Sequence, residues 1–264
     1  MVGSEAMLVD DLRDVGSCLK GVGKRVRYEA VYVRECTSTQ DLAASLVKQG
    51  FGEGLVVVAE SMSLGRGRHG RRWSANPGGL WFTLVLKPSK LSGMQLLSLS
   101  MGLSVAKSLR TLYGLNASVK WPNDVVVEGR KISGVLVEGR GDAEVFILVG
   151  VGVNVNNEIP EDLRGRAISV REVIGYPTPR TPLLIEILKN IEEAYMKILE
   201  GRSREVVDQW RQLAETLGGR VRVVTGEGII EGRAVDVADD GALVVEETTG
   251  VRHRIYSGDV VRVS

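Results

Sequence analysis

The chain has 264 residues, 44% apolar and 25% charged, proportions that fit a soluble globular protein with one sizeable domain and a smaller companion. Thirty-four basic residues stand against 33 acidic ones, a balance that argues against a dedicated nucleic-acid binder. No stretch approaches the ~18–20 apolar residues of a membrane span. Glu5, Asp10 and Asp11 are foreign to a signal or transit peptide, and Cys18 and Cys36 have neither metal-ligand nor Cys-x-x-Cys spacing. A cytoplasmic protein is expected.

In chain order, Leu8, Leu12, Val15, Leu19 and Val22 recur at helical spacing and Gly23 stops the run, which predicts one short helix. A winged helix-turn-helix of roughly 60 residues has no room before the first core strand, residues 28–33. Ser38-Thr39-Gln40-Asp41 opens a second helix, with Ser38 as N-cap and Asp41 approximating a capping box. Residues 55–59 and 80–86 read as buried strands. Met94, Leu97, Met101, Val105, Leu109 and Leu112 mark a long helix ending at Gly114. Strands follow at 117–121, 125–127, 132–138 and 145–155. The turns between the last three, Glu128-Gly129-Arg130 and Arg140-Gly141-Asp142, are too short for helical crossovers, so these pair antiparallel. Residues 183–199 and 206–217 are amphipathic helices. From Gly218 the texture changes to five valine-rich segments (221–224, 229–235, 242–247, 252–256 and 260–263), which predicts a separate small barrel. The expected domains are therefore 1–217 and 218–264.

Four segments carry chemistry. Ser38-Thr39 offers hydroxyls and free N–H groups at a helix start. Gly65-Arg66-Gly67-Arg68-His69-Gly70-Arg71-Arg72-Trp73 combines permissive backbone with guanidinium forks suited to phosphate or carboxylate; alone it would equally pass for a basic loop or a nucleic-acid patch. Lys120-Trp121-Pro122-Asn123-Asp124 leads into Lys131-Ile132-Ser133-Gly134-Val135-Leu136-Val137-Glu138. Last comes Gly150-Val151-Gly152-Val153-Asn154-Val155-Asn156. Walker A and Rossmann glycine patterns are both absent.

In this order and spacing the segments resemble the biotin protein ligases over about residues 28–156, and Tyr256-Ser257-Gly258-Asp259-Val260 looks like the family's S-G-D-V ending. The resemblance implies an α/β (α+β) fold: a mixed, largely antiparallel sheet with helices, related to class II aminoacyl-tRNA synthetases, followed by an SH3-like barrel. It implies two steps. Biotin and ATP form biotinyl-5′-adenylate and pyrophosphate, and a lysine of a biotin carboxyl carrier domain then takes the biotin. ATP, biotin and Mg²⁺ are the implied small molecules, with the metal ligands unassigned.

Carried onto this chain, Lys131, Arg68 and Asp124 are the expected catalytic residues. Asp124 could serve as base, as a Mg²⁺ ligand or as a holder of Lys131. Ser38, Thr39, Gln40, Met62, Arg66, Gly67, Arg68, Lys131, Gly134, Gly150 and Gly152 are the expected biotin contacts. Arg66, Arg68, Arg71, Trp73, Asn123, Lys131 and Asn154 are the expected ATP contacts. One residue departs from the family pattern: Met62 stands where a glutamine amide usually meets the biotin head, and a thioether cannot donate a hydrogen bond. The charged, glycine-rich loop is expected to become ordered only over ligand, and a homodimer through the sheet edge near the 134–154 strands is expected. Three rival readings remain to be distinguished: a lipoate or octanoate enzyme of the same fold, a biotin-sensing DNA-binding repressor, and a non-catalytic biotin-binding module.

Overall fold

A computed structural model describes residues 11–89, 94–141 and 145–262. The apolar runs of the first 153 residues pair into one seven-stranded sheet. Its strands are β1 (Glu29–Cys36), β2 (Leu55–Met62), β3 (Leu80–Leu86), β4 (Ser118–Lys120), β5 (Asp124–Val127), β6 (Arg130–Arg140) and β7 (Phe146–Val153). Their spatial order is β1-β2-β3-β7-β6-β5-β4. Only β1 and β2 run parallel; every other neighbouring pair is antiparallel.

One face of the sheet is covered by three helices, α3 (Met94–Tyr113), α5 (Thr181–Leu199) and α6 (Ser203–Leu213). Leu97, Leu109, Leu184, Leu188, Trp210 and the alternate strand residues Val58, Leu84 and Val149 form the core there. Each such aliphatic side chain contributes ~1.5–3 kcal/mol on burial. The other face carries only α2 (Thr39–Lys48), packed through Ala43 on Leu55, Val57 and Val85. The rest of that face is open. A second short helix, α4 (Val170–Ile174), opens with a full capping box between Ser169 and Glu172.

The expected N-terminal helix shrinks to one turn, α1 (Val15–Cys18). Leu12, Val15 and Leu19 are buried as their spacing required, but Gly16 and Gly21 weaken a continuous helix, and turns deliver the same side chains. Leu8 lies outside the described residues, as do Asp142 and Val263. The segment is held by ionic contacts instead. Glu192 accepts from the N–H groups of Lys24, Arg25 and Val26, and Asp11 accepts from the N–H groups of Arg180 and Thr181 at the start of α5. Arg180 is fully buried and bridges Asp11 to Glu60 on β2.

Beyond α6 the strands β8 (Arg220–Thr225), β9 (Gly228–Val237), β10 (Leu243–Glu246), β11 (Arg252–Ile255) and β12 (Asp259–Arg262) form a five-stranded antiparallel sheet in the order β11-β10-β9-β8-β12. The edge strands are consecutive in sequence. Laid flat, they would stand about 19 Å apart, whereas the link from Ile255 to Asp259 reaches at most ~14 Å. The sheet has to curl, as a small barrel does. Among the described residues no helix is long and apolar enough to cross a membrane.

Candidate active site

One row of residues crosses the open face of the large sheet. Lys120 on β4 stands opposite Asp124 on β5, Asp124 opposite Gly134 on β6, Gly134 opposite Gly152 on β7, and Gly152 opposite Trp81 on β3. Residues paired in this way share a face. The two glycines make a floor on which the Trp73 indole rests: a Cβ would lie 2.8 Å from the ring at Gly152 and 3.0 Å from it at Gly134. Trp73 meets Trp81 edge to face, with centroids 6.1 Å apart and planes at 77°. Its buried Nε1 has no hydrogen-bond partner.

Lys131 reaches the same face through an irregularity. It lies three residues from Gly134, and in a regular strand those two positions point to opposite faces. The β5–β6 register shifts between Val125 and Val126, so that Ser133 faces Val125, Lys131 faces Val126, and Ile132 is the extra residue. This β-bulge turns Ile132 and Ser133 into the helix-side interior, where both are fully buried, and brings Lys131 round to the cavity. Its Nζ lies 2.7 Å from Asp124 Oδ1 and 5.1 Å from the centroid of the Trp73 ring.

A cavity of about 370 Å³ opens above this row, within the usual range for small-molecule sites. Over β2 and β3 its wall is neutral. Ser38 caps α2, but its Oγ accepts from Gln40 N–H (3.3 Å) and the expected capping box with Asp41 does not form. The Thr39 hydroxyl accepts from Thr83 (2.8 Å) and faces the sulfur of Met62, which also accepts from the Thr39 N–H (3.3 Å). Gln40 lies over Gly150 and donates to the carbonyls of Leu136 (2.9 Å) and Leu148 (3.4 Å).

Over β4–β6 the wall is charged, and the barrel completes it with Asp259, Val260 and Val261. The glycine-arginine loop is laced by backbone hydrogen bonds. Gly67 N–H donates to Arg71 O (2.7 Å) and Trp73 N–H to Gly65 O (2.8 Å), with His69 and Gly70 both at positive φ. Three of its four arginines find partners within the protein. Arg66 forms a forked pair with Asp41, both contacts 2.6 Å. Arg68 donates to Ser257 Oγ (2.9 Å) and Gly258 O (3.2 Å), and Arg71 is bonded to Asp259. These bonds hold the carboxyls of Asp41 and Asp259 below the usual carboxylate range, while burial pulls Arg68 down from the ordinary arginine value.

Of the residues singled out from the sequence, Asn154 alone stands away from the cavity wall. It is buried, and its Oδ1 accepts from Asn157 Nδ2 (3.1 Å). Asn123 lines the cavity but spends its amide on Val135 O (2.7 Å). Of the strands near which two copies are expected to pair, 134–154, only part has an open edge. β7 is flanked by β3 and β6 over its whole length, and β5 covers β6 only as far as Gly134, so the free edge is the stretch 137–140 of β6. Lys120, Thr83, Ser257 and Asp259 belong to the site region and were missed as individual residues; only the motifs containing Lys120 and Asp259 pointed toward them.

Two family models match the chain: the biotin/lipoate A/B protein ligase family over residues 32–156 and the biotin protein ligase C terminal domain over residues 216–263. A biotin–[acetyl-CoA-carboxylase] ligase from Mycobacterium tuberculosis is 32% identical, with 96% of each chain covered. The bifunctional ligase/repressor BirA of Bacillus subtilis is 30% identical over 87% of this chain and 73% of its own length. A biotin protein ligase from Aquifex aeolicus, solved in complex with biotin and ATP, superposes with a TM-score of 0.80 at 33% identity, covering 89% of this chain and 98% of the other. The chain belongs to the biotin/lipoate protein ligase family, and within it to the biotin protein ligases.

Proposed function

We propose that this chain activates biotin with ATP to biotinyl-5′-adenylate, releasing pyrophosphate, and then passes biotin to a lysine of a biotin carboxyl carrier domain. The observation that carries this reading is the gradient along one cavity, from hydroxyl and thioether groups over β2–β3 to Lys131 and the arginines over β4–β6 and the barrel. A ligand with a neutral polar ring and a carboxylate tail lies along it in one direction only. The ring meets Ser38, Thr39, Gln40 and Met62, and the tail meets Lys131.

In the first step the carboxylate oxygen attacks the α-phosphorus, and two anions must approach each other. Lys131 and Arg68 offset that repulsion, with Arg66 and Arg71 available to the phosphates once they leave their carboxylate partners. Asp124 holds Lys131 over the cavity. Trp73 shields the mixed anhydride from water, and Gly67, Gly134, Gly150 and Gly152 keep the walls close to the ligand. Asn123 acts on the nucleotide side by fixing the Val135 backbone, and Asn154 through its bond to the Asn157 side chain. Mg²⁺ would neutralise phosphate charge. Among the described residues no cluster of three or more His, Cys, Asp or Glu could hold it, so the donor set fits a metal carried by phosphate oxygens with Asp124 as a protein ligand, a common arrangement for Mg²⁺.

The same reading divides the chain into a catalytic unit, 1–217, and a barrel, 218–264, places it in the cytoplasm, and pairs two copies along the free edge of β6. The test is ATP-dependent transfer of labelled biotin onto a carrier domain, comparing wild type with Lys131→Ala. Transfer by wild type and its loss in the variant support the assignment. Biotin binding without turnover would make the chain a sensor, and preference for lipoate would move it to the neighbouring enzymes.

A further inference from the structure

Most cations on the cavity wall are already engaged: Arg66 with Asp41, Arg71 with Asp259, Lys131 with Asp124, and Arg68 with Ser257 and Gly258. Two are not. Arg72 is exposed on the loop. Lys120 is half-buried in the wall, and among the described residues its ammonium has neither an ion pair nor a hydrogen-bond partner. Strand β4 fixes its direction. Val119 is buried in the helix-side core, so its neighbour Lys120 faces the cavity. It stands opposite Asp124, whose carboxylate is turned to Lys131.

We infer that Lys120 is a further catalytic residue of the adenylation step, its ammonium meeting the oxygens of the departing pyrophosphate. The inference rests on the ligase reading above. In that step a carboxylate oxygen forms a bond to the α-phosphorus, and the bond from that phosphorus to the β-bridging oxygen breaks. The electron pair leaves on pyrophosphate and no proton moves. Negative charge grows on the leaving side, and a cation fixed there lowers the barrier. Lys120 suits this place in three ways. It ends the row across the sheet on the side away from the glycine floor and the neutral wall. Its ammonium is a compact charge with three donors. Being unpaired, it meets phosphate without breaking an ion pair.

The test uses the full chain with Lys120→Met and Lys120→Arg. Three quantities are measured: biotin-dependent exchange of labelled pyrophosphate into ATP, biotin affinity by calorimetry, and transfer to a carrier domain from synthetic biotinyl-adenylate. In Lys120→Met the exchange kcat is expected to fall about 10²-fold, with biotin affinity and transfer from the adenylate at wild-type level. Lys120→Arg is expected to recover most of the exchange. Wild-type exchange in Lys120→Met overturns the inference, and so does a parallel fall in all three readouts, which would mark a structural role. A wild-type protein that binds biotin but exchanges no pyrophosphate overturns the ligase reading and this inference together, a failure visible before any variant is made.

Discussion

The sulfur of Met62 accepts from both the amide (3.3 Å) and the hydroxyl (3.7 Å) of Thr39. A thioether is a weak acceptor and no donor. In Met62→Gln the side-chain carbonyl keeps the Thr39 contact, and the amide adds an N–H at the neutral end of the cavity. One neutral hydrogen bond is worth about 0.5–1.5 kcal/mol, so biotin should bind about two- to tenfold more tightly by calorimetry. Equal or weaker binding would show that residue 62 does not meet the ligand.

Asp259 ties the barrel to the loop through Arg71. In Asp259→Asn the ion pair is lost, and amide exchange over residues 65–73 should accelerate at neutral pH. The Arg71 hydrogen bond holds the Asp259 carboxyl below its ordinary value. The ion pair's contribution is therefore complete above the unfolded pKa of about 4 and disappears as pH falls through the lower folded value. Wild type should show the same loosening only in acid, and only modestly, because the pair is exposed. Protection of the loop unchanged by the substitution would mean that Arg68 alone anchors it.

Gly152 has no room for a methyl group, since its Cβ would lie 2.8 Å from the Trp73 ring. The indole is on a loop and can give way. Gly152→Ala is thus expected to fold normally, to shift tryptophan emission, and to bind biotin at least about tenfold more weakly, a loss of roughly 1.4 kcal/mol or more. Unchanged emission and affinity would place the ligand elsewhere.

Arg180 is fully buried between Asp11 and Glu60. Arg180→Met leaves Glu60 buried without its cation, which should cost about 3–5 kcal/mol. The denaturation midpoint reads this directly, and a loss under ~1 kcal/mol would mean that water reaches Glu60 readily.

Much of this was legible beforehand, because strands and helices announce themselves through apolar spacing and the motifs follow one another in order. The resemblance to the biotin protein ligases implied that Lys131 and Asp124 share one reacting centre, and they lie 2.7 Å apart. What spacing could not reveal are partners far along the chain: Arg68 and Ser257 are separated by 189 positions. Local periodicity also misled where glycines intervened, as in the N-terminal helix reduced to Val15–Cys18. Which part of the 134–154 strands has a free edge was not legible either, because a strand's neighbours on both sides decide that, and those neighbours depend on the whole topology.

The bulge at Ile132 makes the site depend on how two strands pair as well as on which residues they carry. Regular pairing over the same three residues would turn Lys131 into the helices on the far side of the sheet; deleting Ile132 would instead restore alternation with a two-residue step, keeping Lys131 on the cavity face while taking a fully buried side chain out of the core. Anyone grafting this hairpin must therefore carry the bulge over together with the three-residue step from Lys131 to Gly134.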